Sequence, residues 1–214
     1  MHHEQEMKSI KAENQEDLCQ RAKELSDSLY PTIGEFVVAF EGICHALRMG
    51  VENVLEKNGL QNGRLTDILI GDLTAHPLQG VYRALLAESE TLHTTEVALL
   101  DNIFTRVTLL CEERNRIVHS AWFIDFKNPE DLRNGLLLKY KPGRSRKGAK
   151  ESSSKVPIQE IKDIIGEIRI VDDLVHQLNM CIYCKKKIAE RFSFDDKGKV
   201  VATGSIMDFF SNPK

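Results

Sequence analysis

Three long stretches of this chain carry an apolar residue at every third or fourth position, which commits them to helices that bury one side. A helix of roughly 3.6 residues per turn brings such positions onto a single face. Residues 31–57 do this with Ile33, Phe36, Phe40, Ile43, Leu47, Val51 and Val54. Residues 94–118 do it with Val97, Leu100, Phe104, Val107 and Cys111, flanked by Ile103, Leu110 and Ile117. Residues from Pro157 to about 191 repeat it with Ile158, Ile161, Ile165, Ile168, Val175, Leu178 and Ile182. Pro31 and Pro157 suit a first helical turn, and Asn58-Gly59 closes the first stretch.

Weaker patterns fill the rest. Leu18, Ala22, Leu25 and Leu29 predict a helix over 16–29, and His76-Pro77 divides two shorter helices at 64–73 and 77–89. After His119 the pattern changes. Residues 121–126 and 136–140 suit two short strands, and residues 139–155 read as a basic loop rich in Gly and Ser. Residues 1–15 are expected to be a disordered polar lead and 193–214 an irregular tail, broken by Asp-Asp-Lys-Gly and Asn-Pro. The expected fold is mainly α: a bundle of about five helices in one domain over 16–192. A small β-hairpin insertion with its basic loop, about 120–155, follows the helix at 94–118.

Composition limits the partners. Hydrophobic residues at 42% and charged residues at 29% are enough for a buried core. A net charge of −3 rules out attraction to nucleic acid or membrane by bulk charge, so any such attraction has to be local. No apolar run approaches the roughly 20 residues of a membrane helix, and the polar N-terminus has no secretory core. Five cysteines, an odd set lying partly in apolar stripes, read as reduced thiols in the cytoplasm. The Cys181–Cys184 pair sits in a helix with no second pair, and the histidines lack metal-binding spacing. No metal or other cofactor is expected.

One residue stands where it should not. At roughly 100° per residue, the apolar arc of the helix at 94–118 centres near Leu100, Val107 and Val118, and Arg114 falls inside it. A guanidinium left buried and unpaired costs several kcal/mol. Arg114 must therefore meet a carboxylate such as Glu41 or Glu52, or face a cleft or a subunit interface. Asn115 lies at the edge of the arc, and His119 follows it by four residues where the chain leaves the helix. Glu41, His45, Arg48 and Glu52 share one side of the helix at 31–57 and read as a surface charge lattice.

The run Glu113-Arg114-Asn115-Arg116-Ile117-Val118-His119 resembles the signature of the HEPN superfamily: Arg, a polar residue that is often Asn, three more residues, then His. The resemblance covers about seven residues as sequence and residues 16–191 as architecture. It implies a four- or five-helix bundle with the motif ending a long helix. It also implies a metal-independent endoribonuclease of the toxin–antitoxin, phage-defence or RNA-processing kind. Such proteins are usually homodimers with both motifs facing one cleft, and an antitoxin or other protein partner is then expected. One subgroup carries a Tyr two residues after the His; Ala121 stands there in this chain, followed by Trp122, so regulation through that Tyr is not implied. Some members keep the shape without the activity, which leaves a non-catalytic RNA- or protein-binding module as the alternative.

The chemistry suits these residue types. RNA supplies its own nucleophile, the 2′-hydroxyl, beside the scissile phosphate. A histidine, with an ordinary pKa of about 6.5, moves protons near neutrality, and arginine holds phosphate oxygens through two parallel N–H groups. His119 is expected to serve as general base or acid, Arg114 to clamp the phosphate and Asn115 to orient one of them. Lys139, Lys141, Arg144, Arg146, Lys147 and Lys150 place six cations and no acid within 139–150 and are expected to track an RNA backbone. In the tail, residues 203–210 resemble a sliding-clamp-binding peptide with Ile206, Phe209 and Phe210 as anchors and Thr203 where Gln is usual; packing on the body is the competing expectation.

Overall fold

In the computed structural model, the backbone is described for residues 2–125, 128–145 and 148–211, and side chains for 15–125, 128–140 and 153–209. The expected helices are there: α1 (His2–Lys57), α2 (Gly63–Ile70), α3 (Ala75–Ser89), α4 (Thr94–Val118) and α6 (Ile158–Tyr183), with a short α5 (Pro129–Arg133) between strands. The fold is mainly α. No helix among the described residues is long and apolar enough to cross a membrane.

The chain divides into two compact units, Met1–Val37 with Arg114–Ile165, and Val38–Glu113 with Gly166–Lys214. No change in composition marks the division, because α1, α4 and α6 each run through it.

The second unit is a helical bundle. Ile43, Leu47, Val51 and Val54 of α1 are buried, as are Leu78, Tyr82 and Leu86 of α3, Ile103, Phe104 and Val107 of α4, and Val171, Val175 and Leu178 of α6. The Tyr82 ring meets Phe104 edge-on, with centroids 5.7 Å apart. Its hydroxyl donates to Asn179 Oδ1 at 2.7 Å, and Asn179 Nδ2 donates to the Ala46 carbonyl at 2.7 Å, so this buried polar chain is satisfied at every link. Gly50 has to be glycine, because a Cβ there would overlap the Tyr82 ring.

The first unit holds an antiparallel sheet of β1 (Ala121–Phe123), β2 (Leu136–Ser145) and β3 (Gly148–Pro157), in the order β1-β2-β3. Ala121 pairs with Tyr140 and Phe123 with Leu138; Leu137 pairs with Val156, and both of these are buried. Lys155 Nζ lies 2.7 Å from the buried Asp131 carboxylate, tying α5 to β3.

Several expectations give way. Residues 16–29 and 31–57 form one helix, α1, which begins at His2 in the polar lead. Pro31 removes one backbone donor at an exposed position, and burial of Leu25, Leu29, Phe36 and Phe40 on both sides carries the helix through. The basic loop is instead a long hairpin, β2 paired with β3 from Leu136↔Pro157 to Ser145↔Gly148. Its Gly, Ser and Lys content hides the alternation that normally marks a strand. The last helix stops at Tyr183 rather than near 191. Lys185 turns left-handed at φ 54°, with Lys186 N–H donating to Cys181 O and Lys185 N–H to Ile182 O, the paired bonds of a helix stop.

The irregular tail is also ordered. A 3₁₀ turn (Ile188–Glu190), a hairpin of β4 (Phe192–Phe194) and β5 (Val200–Ala202), and a short α7 (Asp208–Ser211) follow α6. The Asp195 carboxylate caps the hairpin turn by accepting from Lys197 N–H at 2.9 Å and Lys199 N–H at 2.7 Å, so Asp-Asp-Lys-Gly forms a turn rather than a break.

Candidate functional site

The site is built on the last turn of α4 and the residues after it. Ile117 is buried and fixes the helix end in its unit. Arg116 Nη2 donates to Glu160 Oε1 at 2.7 Å, fastening that end to the start of α6. The terminal carbonyls are taken up locally: Ser120 Oγ donates to Arg116 O at 2.6 Å, and Trp122 Nε1 to Ile117 O at 3.0 Å. Arg116, Ile117, Ser120 and Trp122 are committed to structure, which leaves the exposed Asn115 and His119 and the half-buried Arg114.

These three come together. Arg114 Nη1 lies 3.1 Å from His119 Nε2 and 3.4 Å from Asn115 Oδ1. Asn115 and His119 are exposed and Arg114 is half-buried. A guanidinium only donates, so in a hydrogen bond between the two His119 Nε2 is the acceptor. The arrangement offers a cation with open donor positions beside a basic nitrogen, which is what a phosphodiester undergoing attack requires.

Burial along α4 refines the arc on which Arg114 was placed. Val97 and Val118 are exposed, and the buried stripe runs through Leu99, Ile103, Val107, Leu110 and Ile117, with Arg114 still in line. The same stripe holds a second arginine that periodicity did not single out. Arg106 is buried, donates through Nε to Glu167 Oε1 at 2.8 Å and through Nη1 to Val200 O at 3.0 Å. Arg106 is thus the structural arginine that Arg114 might have been. Among the described residues the polar partners of Arg114 are Asn115 and His119, neither a carboxylate. The lattice on α1 is a surface one: Glu41, His45 and Glu52 are exposed, and Arg48 Nη2 donates to Leu73 O at 3.2 Å.

Of the six expected RNA-tracking cations, Lys139 is half-buried on β2, paired in register with Trp122 and Ser154. Lys141 and Arg144 lie on the β2 backbone and Lys150 on β3, with side chains outside the described residues; Arg146 and Lys147 lie outside them altogether. The Arg116–Glu160 tie was not foreseen, since its partners are 44 positions apart and neither breaks a pattern.

Burial and the nearby Cys184 push the Cys181 thiol up to about 12, against the pull of Arg191 and Lys186, so it stays protonated. Among the described residues no group of three His, Cys, Asp or Glu is placed to hold a metal ion. In the tail, Phe209 is buried between Lys186 Nζ at 5.0 Å and the Arg191 guanidinium at 4.9 Å from its ring centre. Ile206 is half-buried, and the Phe210 side chain lies outside the described residues. Arg191 also donates to Gln177 Oε1, Asp208 Oδ2 and Ser205 O, so the peptide is seated on the body.

No family model, curated protein or solved structure matches this chain. The HEPN resemblance therefore rests on the seven residues from Glu113 to His119 and on where they stand.

Proposed function

We propose that this protein is a HEPN-like endoribonuclease that cuts RNA by transesterification, using Arg114, Asn115 and His119. The observation that carries this is the 3.1 Å contact between Arg114 Nη1 and His119 Nε2 at an exposed helix end, with no carboxylate neutralising the guanidinium among the described residues.

His119 Nε2 takes the proton of the 2′-hydroxyl as that oxygen attacks phosphorus. The bond to the 5′-oxygen breaks, leaving a 2′,3′-cyclic phosphate and a 5′-hydroxyl end. Arg114 turns from the imidazole to the phosphate oxygens, where the developing charge strengthens its hydrogen bonds. Asn115 Oδ1 holds the guanidinium on the reacting side. The leaving oxygen takes its proton from solvent or from the His119 of a symmetric second copy. The nucleophile is part of the substrate, so no metal-activated water is called for. Cytoplasmic RNA is the substrate pool, and the biological setting is that of a toxin or phage-defence effector held in check by an antitoxin or other protein partner.

Purified protein incubated with total RNA in excess EDTA should release fragments ending in cyclic phosphate. His119→Ala should lose about 100-fold or more of that rate while keeping its fold by circular dichroism. Wild-type cutting by His119→Ala would falsify the assignment. RNA bound but never cut by the wild-type protein would leave a binding module instead.

A further inference from the structure

A cavity of about 210 Å³ opens where the ends of α1 and α6 meet the loop between α3 and α4, and every residue lining it belongs to the second unit. Its floor is apolar: Cys181, Ile182 and Ile188 are buried. Its walls are charged, and the charges are unequal. Lys57, Lys185, Lys186 and Lys187 stand against Glu90 and Glu96. Both carboxylates are engaged. Glu90 Oε1 accepts from Lys57 Nζ at 2.5 Å. The buried Glu96 accepts from His93 N–H at 3.1 Å and Ala189 N–H at 3.3 Å, which pins together the two loops of the rim. The three adjacent lysines are left over.

Nothing in the fold accounts for them. Cations past a helix end commonly serve its last carbonyls. Here the carbonyls of Met180, Cys181 and Ile182 accept the backbone N–H groups of Cys184, Lys186 and Lys185 instead. Among the described residues no ion pair or side-chain hydrogen bond engages the ammonium group of Lys185, Lys186 or Lys187. Lys186 Nζ lies over the Phe209 ring, which leaves its charge uncompensated. Lys185 is also left-handed at φ 54°, a conformation that glycine adopts freely and lysine only with strain.

We infer that this cavity binds the diphosphate group of a small molecule, at a site that uses none of Arg114, Asn115 and His119. A single phosphate carries roughly two negative charges, short of three ammonium groups; two joined phosphates match them. The volume is below the roughly 300 Å³ at which pockets begin to enclose a whole ligand, so the cavity takes the anionic group and leaves any remainder outside. The apolar floor keeps the local dielectric low and strengthens each ammonium–oxygen contact. The group arrives either as free pyrophosphate or as the end of a nucleoside diphosphate.

The test titrates the full chain with sodium pyrophosphate at fixed ionic strength in EDTA, followed by calorimetry and by the melting temperature. Wild type should bind one pyrophosphate per chain and melt higher in its presence, with orthophosphate at least about ten-fold weaker. A protein carrying both Lys185→Gln and Lys187→Gln should lose about ten-fold or more of the pyrophosphate affinity. Lys197→Gln, on the turn between β4 and β5, should bind as wild type does. ADP then separates the two sources: tighter binding than pyrophosphate assigns a nucleotide, and weaker binding assigns the free anion. Absence of pyrophosphate binding in both measurements overturns the site. So does undiminished affinity in the doubly substituted protein, an equal loss in Lys197→Gln, or orthophosphate bound as tightly as pyrophosphate.

Discussion

Arg106 and Arg114 both lie toward the buried side of α4, eight residues apart, and the difference between them lies in their partners. Arg106 is closed off by Glu167 and the Val200 carbonyl, whereas Arg114 reaches an amide oxygen and an imidazole in the open. Arg106→Ala removes a buried cation, takes the donor from the Val200 carbonyl and leaves Glu167 with Lys199, so stability should fall by about 2 kcal/mol in urea unfolding. Arg114→Ala should stay within about 0.5 kcal/mol of wild type in the same measurement. Equal losses would place Arg114 among the structural residues and remove its phosphate role. A second residue makes a pH-dependent case. Burial raises the Asp172 carboxyl above its ordinary value; His176 at 3.7 Å pulls it down, Asp173 raises it again, and His45 lowers it. A carboxyl raised in the fold contributes stability below its unfolded value of 3.8 and loses that contribution as pH rises through the folded value. Near neutrality Asp172 is therefore charged at a cost, and its Oδ1 has no hydrogen-bond donor among the described residues. Asp172→Asn should raise Tm at about pH 8, where the carboxyl is charged, and the gain should vanish by about pH 3. A gain that persists in acid would mean that repacking, not charge, is responsible.

Helices were legible as elements because their information is local. The bounds of α4 follow from its stripe, whereas α3 begins at Ala75, so the His76-Pro77 step expected to divide two helices lies inside its first turn. Strand β3 was not legible: Gly148–Pro157 lacks an apolar alternation, and only its pairing with β2 makes it a strand. The end of α6 escaped for a related reason. No glycine or proline stands just after Ile182 to mark the stop, and the backbone turns left-handed at Lys185, a position where glycine ordinarily serves. Lys185→Gly should stabilise the protein by about 1 kcal/mol in urea melts, since it relieves the Cβ clash of that conformation and keeps both terminal bonds. Destabilisation would show that the Lys185 side chain holds something that the turn alone does not need.

At the scale of the whole molecule, the chain settles its class and the position of its motif by itself. Apolar spacing fixes which stretches are helical, and the Arg114-to-His119 interval places three polar groups at one helix end, since a helix converts sequence distance directly into spatial distance. What the tertiary structure decided are the relations between distant parts. It set which arginine on α4 is neutralised, how Arg116 meets Glu160, and that the tail folds back so that Val200 accepts from Arg106. Periodicity reports that a side chain turns inward but carries no record of what it meets there, because partners 44 or 94 positions away are brought close only when the whole chain packs.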